Sequence, residues 1–255
     1  MLAIERKNEI LNKLRLEQRV LVSELALHYG VTEETIRRDL DKLEKEGFAT
    51  KTYGGAIWGN SIKTDLSYTI RNKTNVEEKT AIAKCISSMI QDGDHLMLDD
   101  SSTSLFVAKH LKEKKNLTII TYSVEVVVEL SGVEGFTILS TGGQLRPTSL
   151  AFEGFQVPQI LSKYHVDKAI ISCKGLDPEA GITDSAESHA LSKQAMIKAA
   201  KHVILAIDDS KFDKVAFTQV APIEQIQTLV TNRRPSREWM EVFRNYDLPC
   251  VYPEE

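Results

Sequence analysis

The chain has 255 residues, room for a small module and one larger domain with its own core. Its hydrophobic share of 42% beside 27% charged residues is that of an ordinary globular protein, which excludes a disordered or fibrous chain. A net charge of −4 argues against generic adhesion to nucleic acid or membrane; with no apolar run near span length and no signal-peptide core, a cytoplasmic location is expected.

In chain order, Ile4, Ile10, Leu11 and Leu14 supply the buried side of a first helix. A short amphipathic segment over 22–29 follows and stops at Gly30. Thr32 is placed to cap the next helix, and Gly47 to end it. At about 100° per residue, Ile36, Leu40 and Leu43 fall on one stripe. Thr35, Arg38, Lys42 and Lys45 lie opposite, with Arg37 on the flank. Residues 48–53 alternate as a strand, turn at Gly54-Gly55 and return through Ala56-Ile57.

Helices joined by a glycine turn and followed by a glycine-turned hairpin predict a winged helix-turn-helix over residues 1–57. Thr32, Thr35, Arg37, Arg38 and Lys42 supply donors for base edges or phosphates of double-stranded DNA, and Lys51 with Gly54 and Gly55 can approach a phosphate backbone. A plain helical domain with solvated charges is the alternative, because these 57 residues hold ten basic and ten acidic side chains. The polar stretch that follows, 58–75, reads as a linker.

From residue 76 to 255, helical spacing alternates with short apolar runs at 95–99, 117–121, 136–141, 169–173, 203–207 and 228–231. That pattern predicts an α/β domain around a mostly parallel sheet. Its strand ends are polar: Asp99 leads to Ser101, Ser102 and Thr103, and others end at Thr121, Gly142-Gly143, Lys174-Gly175, and Asp208 before Lys211. Ligands of open α/β sheets bind outside the carboxyl ends of strands, and a helix starting at Ser102 adds its positive end, so an anionic, phosphate-bearing small molecule is expected there. Singly, each feature has a bland reading as a cap, a turn or a solvated lysine.

Cys85, Cys173 and Cys250 are widely spaced and read as free thiols; no metal ligand set or other cofactor is called for. Near the end of the chain, Trp239, Met240, Val242, Phe243 and Tyr246 sit at helical spacing, as a docking face between copies or as core.

The run from Thr32 through Thr35-Ile36-Arg37-Arg38-Asp39-Leu40 to Gly47, with Gly54-Gly55-Ala56 after it, resembles the amino-terminal module of the DeoR family of bacterial transcription regulators. The resemblance extends through Asp92-Gly93-Asp94, Asp99 with Ser101-Ser102-Thr103, Gly142-Gly143, Asp167-Lys168 and Ser210-Lys211-Phe212, to about Asn232. It implies a second domain folded like ribose-5-phosphate isomerase that binds a phosphorylated sugar without turning it over. Asp99, Ser101, Ser102, Thr103, Gly142, Gly143 and Lys211 carry over as pocket residues. The chain departs from the family pattern at Lys51, Tyr53, Ser101 and Tyr122, where arginine, histidine, glycine and asparagine are usual.

Two readings follow. One is a repressor of a sugar-metabolism operon, a homodimer or homotetramer controlled by a sugar phosphate. The other is a sugar-phosphate isomerase or deaminase carrying a DNA-binding head, with Asp99, Glu187 or Asp208 as base and Lys174 or Lys211 as electrophile.

Overall fold

A computed structural model of the chain describes residues 2–45, 48–58 and 68–253. The chain divides into two compact units, Met1–Ile70 and Arg71–Glu255. Gly47, expected to end the second helix of the helix-turn-helix, and residues 59–67 of the expected linker lie outside the described residues.

The first unit runs α1 (Ala3–Glu17), β1 (Arg19–Leu21), α2 (Val22–Tyr29), α3 (Glu33–Lys45), β2 (Ala49–Thr52) and β3 (Gly55–Trp58). Gly30 closes α2 in the left-handed conformation, φ 63°, its N–H turned back onto the carbonyls of Ala26 and Leu27. The strands form an antiparallel sheet in the order β1-β3-β2. Ile10, Leu14, Leu25, Ile36, Leu40 and Leu43 are fully or almost fully buried in one cluster, so the stripe read from helical spacing is the core face. Ile4 is a correction: it is 67% exposed, because packing of α1 begins one turn later and Arg6 takes the inward place. Strand β1 has no counterpart in the sequence pattern.

The helix α4 (Tyr68–Lys73) occupies part of the expected linker. Lys79, on α5 (Val76–Ser88), explains why so short a helix holds: its buried ammonium donates to the carbonyl oxygens of Arg71 and Thr74, acceptors that the end of a helix leaves open. Then come β4 (His95–Leu98), α6 (Ser102–Leu111), β5 (Thr118–Thr121), α7 (Val124–Leu130), β6 (Thr137–Ser140), β7 (Gln144–Arg146), β8 (Ala151–Glu153) and α8 (Gln156–Leu161). The chain continues with β9 (Val166–Ile171), β10 (Gly175–Asp177), β11 (Gly181–Asp184), α9 (Glu187–Ala199) and β12 (Ala200–Ala206). It closes with β13 (Thr218–Ala221), β14 (Thr228–Val230), α10 (Arg237–Asn245) and β15 (Cys250–Val251).

All six expected strands belong to one parallel sheet, ordered β15-β14-β12-β9-β4-β5-β6. The apolar runs alternate with helices because the central strands are buried on both faces, as Leu96, Ile119, Ile170 and Leu205 show, whereas the edge strand β6 stays partly exposed. The chain winds from β4 through β5 to β6 in one direction, and from β9 through β12 to β15 in the other. The reversal between β4 and β9 opens a crevice above their carboxyl ends. A small antiparallel sheet, β10-β11-β13, and the hairpin β7-β8 stand beside the main sheet.

At the opposite, amino ends of the strands, Asp167 accepts from the His95 N–H at 3.0 Å and from Lys201 at 2.9 Å, and Lys168 reaches Asp94 at 2.6 Å. These motif residues clamp three neighbouring strands, far from the crevice. The hydrogen bonds from His95 and Lys201 hold the Asp167 carboxyl down at about 2. Trp239 and Phe243 of α10 are core, packed on Phe212 with ring centroids 4.9 and 6.2 Å away, whereas Tyr246 stays exposed. Among the described residues, no helix is long and apolar enough to cross a membrane.

Candidate nucleic-acid interface and strand-end ligand site

In the first unit, the Thr32 hydroxyl accepts the Thr35 N–H at 3.3 Å and lies 3.0 Å from the Thr35 hydroxyl, a side-chain cap on α3. Arg37 and Arg38 project outward and pair one turn back with Glu33 and Glu34, at 2.8 and 3.3 Å. Exposed pairs of this spacing are worth about 0.3–0.5 kcal/mol, so either guanidinium can leave its carboxylate for a base edge at small cost. Lys42 is exposed on the same helix. The Lys45 side chain lies outside the described residues.

The wing is fastened to α3. Lys51 pairs through its ammonium with Asp41, and its N–H donates to Glu44 at 2.9 Å. A phosphate contact by Lys51 therefore exchanges one anion for another. Gly54 takes φ 90° at the turn, and a Cβ on Gly55 would stand 2.1 Å from the Val20 carbonyl oxygen. Gly55 thus lets β3 lie against β1, while the fully exposed Tyr53 marks the hairpin tip.

Missed by the sequence reading is Asp39. It is buried and accepts from Arg6 Nε at 2.7 Å, tying α3 to α1. Its position three residues after Ile36 and four before Leu43 is the signal that marks it.

At the crevice of the second unit, Asp99 is wholly buried and fully bonded. Its Oδ1 accepts from the Ser101 N–H at 3.0 Å and the Ser104 hydroxyl at 2.6 Å; its Oδ2 accepts from the Ser172 N–H at 2.8 Å. Asp99 therefore locks the end of β4 to the end of β9. Ser101 caps α6 by accepting the Ser104 N–H at 3.0 Å. The first-turn N–H groups of Ser102 and Thr103 then lack an intrahelical acceptor and point out of the positive end of α6.

Thr121 is equally internal, donating to the Leu98 carbonyl at 2.7 Å and accepting from the Ser123 N–H at 3.1 Å. Gly142 turns the chain at φ 61°, its N–H held by Ser140. A Cβ on Gly143 would come within 2.7 Å of the Glu153 carbonyl oxygen, so that glycine permits close approach to β8.

Gly175 opens β10 instead of closing a strand, and a Cβ there would stand 2.2 Å from the Lys214 carbonyl oxygen, so that glycine permits close approach of the Lys214 backbone. Lys174 is half-buried beside it, its N–H donating to the Thr183 carbonyl at 3.0 Å. Asp208 is buried and caps the following turn through the Ser210 N–H at 3.0 Å. Despite its burial, the nearby Lys211 charge holds the Asp208 carboxyl below the usual carboxylate range. Lys211 is half-buried and, among the described residues, forms no ion pair. Lys79 lies close by, its pKa lowered to about 8 first by burial, with Lys211 among the charges pressing in the same direction.

A buried polar cluster that sequence reasoning does not find adjoins these strand ends. Lys193 of α9 pairs with Asp184 and lies 3.5 Å from Asp99 Oδ2. Burial works against the Lys193 charge, but Asp184 and Asp99 outweigh it and raise its pKa well above the ordinary lysine value. His189 Nε2 stands 3.2 Å from Glu153 and 4.0 Å from Asp100 Oδ2, and its Nδ1 stands 3.8 Å from Asp184. Glu153 also accepts from Arg146 at 2.8 Å. Glu187, by contrast, is exposed at the start of α9.

Residues 6–61 match the model of the DeoR-like helix-turn-helix domain, and residues 74–233 that of the DeoR C terminal sensor domain. The chain is 39% identical to the uncharacterized HTH-type transcriptional regulator YulB of Bacillus subtilis strain 168, over 91% of this chain and 90% of that one. It is 37% identical to the HTH-type transcriptional repressor GlcR of the same organism, over 98% and 96%. To the glycerol-3-phosphate regulon repressor of Escherichia coli strain K12 it is 28% identical, over 96% of each.

Proposed function

Because the chain belongs to the DeoR family of helix-turn-helix transcription regulators, we propose that it represses a sugar-related operon and that a phosphorylated sugar, bound at the carboxyl ends of the parallel strands, sets its hold on DNA. It is a DNA-binding regulator, built from a reading head and a sensor domain. Two of its relatives are named as repressors, one of them of a glycerol-3-phosphate regulon.

In the head, Arg37, Arg38, Thr35 and Lys42 read the major groove from α3, Thr32 caps that helix, and Lys51 with the Gly54-Gly55 turn meets the phosphate backbone. Two heads are needed to cover repeated half-sites, so the working form is a homodimer or homotetramer in the cytoplasm, where the DNA is.

The observation that carries the ligand reading is Lys211, a half-buried cation without an ion pair among the described residues, at the sheet edge where open α/β sheets bind ligands. Lys211 and Lys174 supply charge; the N–H groups of Ser102 and Thr103 and the Gly142-Gly143 turn supply donors and room. Asp99, Ser101, Thr121 and Asp208 act as positioning residues, since their side chains are already engaged with the loops they hold. The same fact favours a sensor over an isomerase or deaminase. A general base needs a carboxylate oxygen free for the substrate proton, and Asp99 has both of its oxygens bonded within the fold.

The test is fluorescence anisotropy of DNA from directly upstream of the chain's own reading frame, titrated with the full chain with and without sugar phosphates, alongside a product assay. Saturable binding that one sugar phosphate shifts, with none consumed, is the expected result. Steady conversion of that sugar phosphate would replace this reading with the enzymatic one.

A further inference from the structure

Two polar atoms in the crevice have no hydrogen-bond partner among the described residues although each is shut away from water: Asp100 Oδ2 and Tyr122 Oη. Both residues are only 2% exposed. Asp100 follows β4, and Tyr122 follows β5, the next strand of the sheet. Among the charges acting on the Tyr122 hydroxyl, Asp100 weighs most, ahead of Asp99 and Asp184, as the ends of neighbouring strands allow. An unmade hydrogen bond is costly in such a site, and native folds leave few of them.

The surroundings define what would complete them. Four carboxylates gather here, Asp99, Asp100, Glu153 and Asp184, against two permanent cations, Lys193 and Arg146, and the imidazole of His189. The cluster carries one negative charge with His189 protonated and two with it neutral. Each neighbouring carboxylate has a bonded oxygen, whereas Asp100 Oδ2 has only His189 Nε2 at 4.0 Å. The chemistry left over is therefore acceptance of a hydrogen bond from something that brings donors.

We propose that Asp100 and Tyr122, backed by His189, form a second subsite that takes the hydroxyl-bearing end of the effector, separate from the phosphate contact at Lys211. This rests on the sugar-phosphate reading above and deepens it, because it locates selectivity among phosphorylated compounds. Inorganic phosphate meets only the Lys211 side; a sugar phosphate meets both. Asp100 Oδ2 accepts a sugar hydroxyl, and Tyr122 Oη donates to or accepts from its neighbour. Such atoms stay unpaired within the protein because the ligand completes them, a local sacrifice of stability for binding.

The experiment uses the full chain and its Lys211→Ala, Asp100→Asn and Tyr122→Phe variants. Each is titrated calorimetrically with ribose 5-phosphate, glucose 6-phosphate, glucosamine 6-phosphate and glycerol 3-phosphate, and its thermal shift in inorganic phosphate is recorded. For the compound that the parent binds most tightly, Asp100→Asn and Tyr122→Phe should each weaken binding at least tenfold while keeping the parent's response to inorganic phosphate. Tyr122→Phe should melt at or above the parent's temperature, because the oxygen it removes has no partner to lose. If both variants bind like the parent while Lys211→Ala does not, the subsite is wrong and the sensor reading survives. If Tyr122→Phe instead melts several degrees lower with unchanged affinity, the hydroxyl is structural and the subsite is equally refuted. Should the parent bind none of the four compounds, the sugar-phosphate reading itself falls, and the subsite with it.

Discussion

Arg6 Nε donates to Asp39 Oδ2 at 2.7 Å beneath the recognition helix, so the acid of the Arg37-Arg38-Asp39 run faces the core while both arginines face water. Three consecutive charged residues thus divide between holding the helix and facing the solvent side, where the proposed base contacts lie. Removing one partner of a buried pair strands the other, at a cost of about 3–5 kcal/mol. Asp39→Ala should therefore unfold the head in chemical denaturation at much lower denaturant than the parent. An unchanged midpoint for the head would show that the pair is dispensable.

Arg38→Ala should behave in the opposite way. Its pair with Glu34 is exposed, so the melting temperature should hardly move. Operator affinity should fall by about 1–3 kcal/mol for each base edge that the guanidinium no longer reads. Gel-shift titrations that give equal affinity for variant and parent would remove Arg38 from the groove.

The secondary structure of both units is largely visible in the chain because burial on two faces writes continuous apolar runs, and burial on one face writes a helical stripe. Six strands of the parallel sheet and the Ile36-Leu40-Leu43 stripe follow from that. Two-residue β15, the three-residue strands β1 and β10, and α4 do not, since they are held by backbone pairing or by Lys79, not by a pattern of their own. The strand-end residues are legible as a group, but not by direction. Nothing in the local sequence says that Asp99 turns back onto Ser104 and Ser172, or that Gly175 abuts Lys214. The cluster of Asp100, Glu153, Asp184, His189 and Lys193 spans nearly a hundred residues, so only the fold assembles it. Asp39 alone is within reach, from its spacing to Ile36 and Leu43.

His189 gives the sensor a pH dependence. Burial disfavours its charge, but Asp100 and Asp184 prevail and raise its pKa above 6.5, with Glu153 and Lys193 also facing the ring. The folded protein then holds a proton that the unfolded chain has released, so this stabilisation is full below the unfolded value and fades as pH rises through the folded one. Urea denaturation across that range should show the parent losing more stability than His189→Gln as pH increases. Parallel curves would mean that the ring carries no extra proton.

Assembly is testable without DNA. One winged module offers a small base-reading surface, and symmetric half-sites call for two. Light scattering of the full chain should give a dimer or a tetramer. A monomer at micromolar concentration, both with and without operator DNA, would count against a paired reading head.

In the proposed switch, a phosphate held by Lys211 in one unit governs DNA binding by the other. A phosphate carries about −1.5 to −2 charge near neutral pH, so Lys211→Ala removes its charge-assisted partner. The deciding measurement is operator affinity of parent and Lys211→Ala, each with and without the sugar phosphate that the parent binds. Equal operator affinity without ligand, and a shift on adding ligand for the parent only, is the predicted result. A Lys211→Ala protein whose operator affinity still shifts by the parent's full amount would show that Lys211 does not hold the phosphate that governs DNA binding.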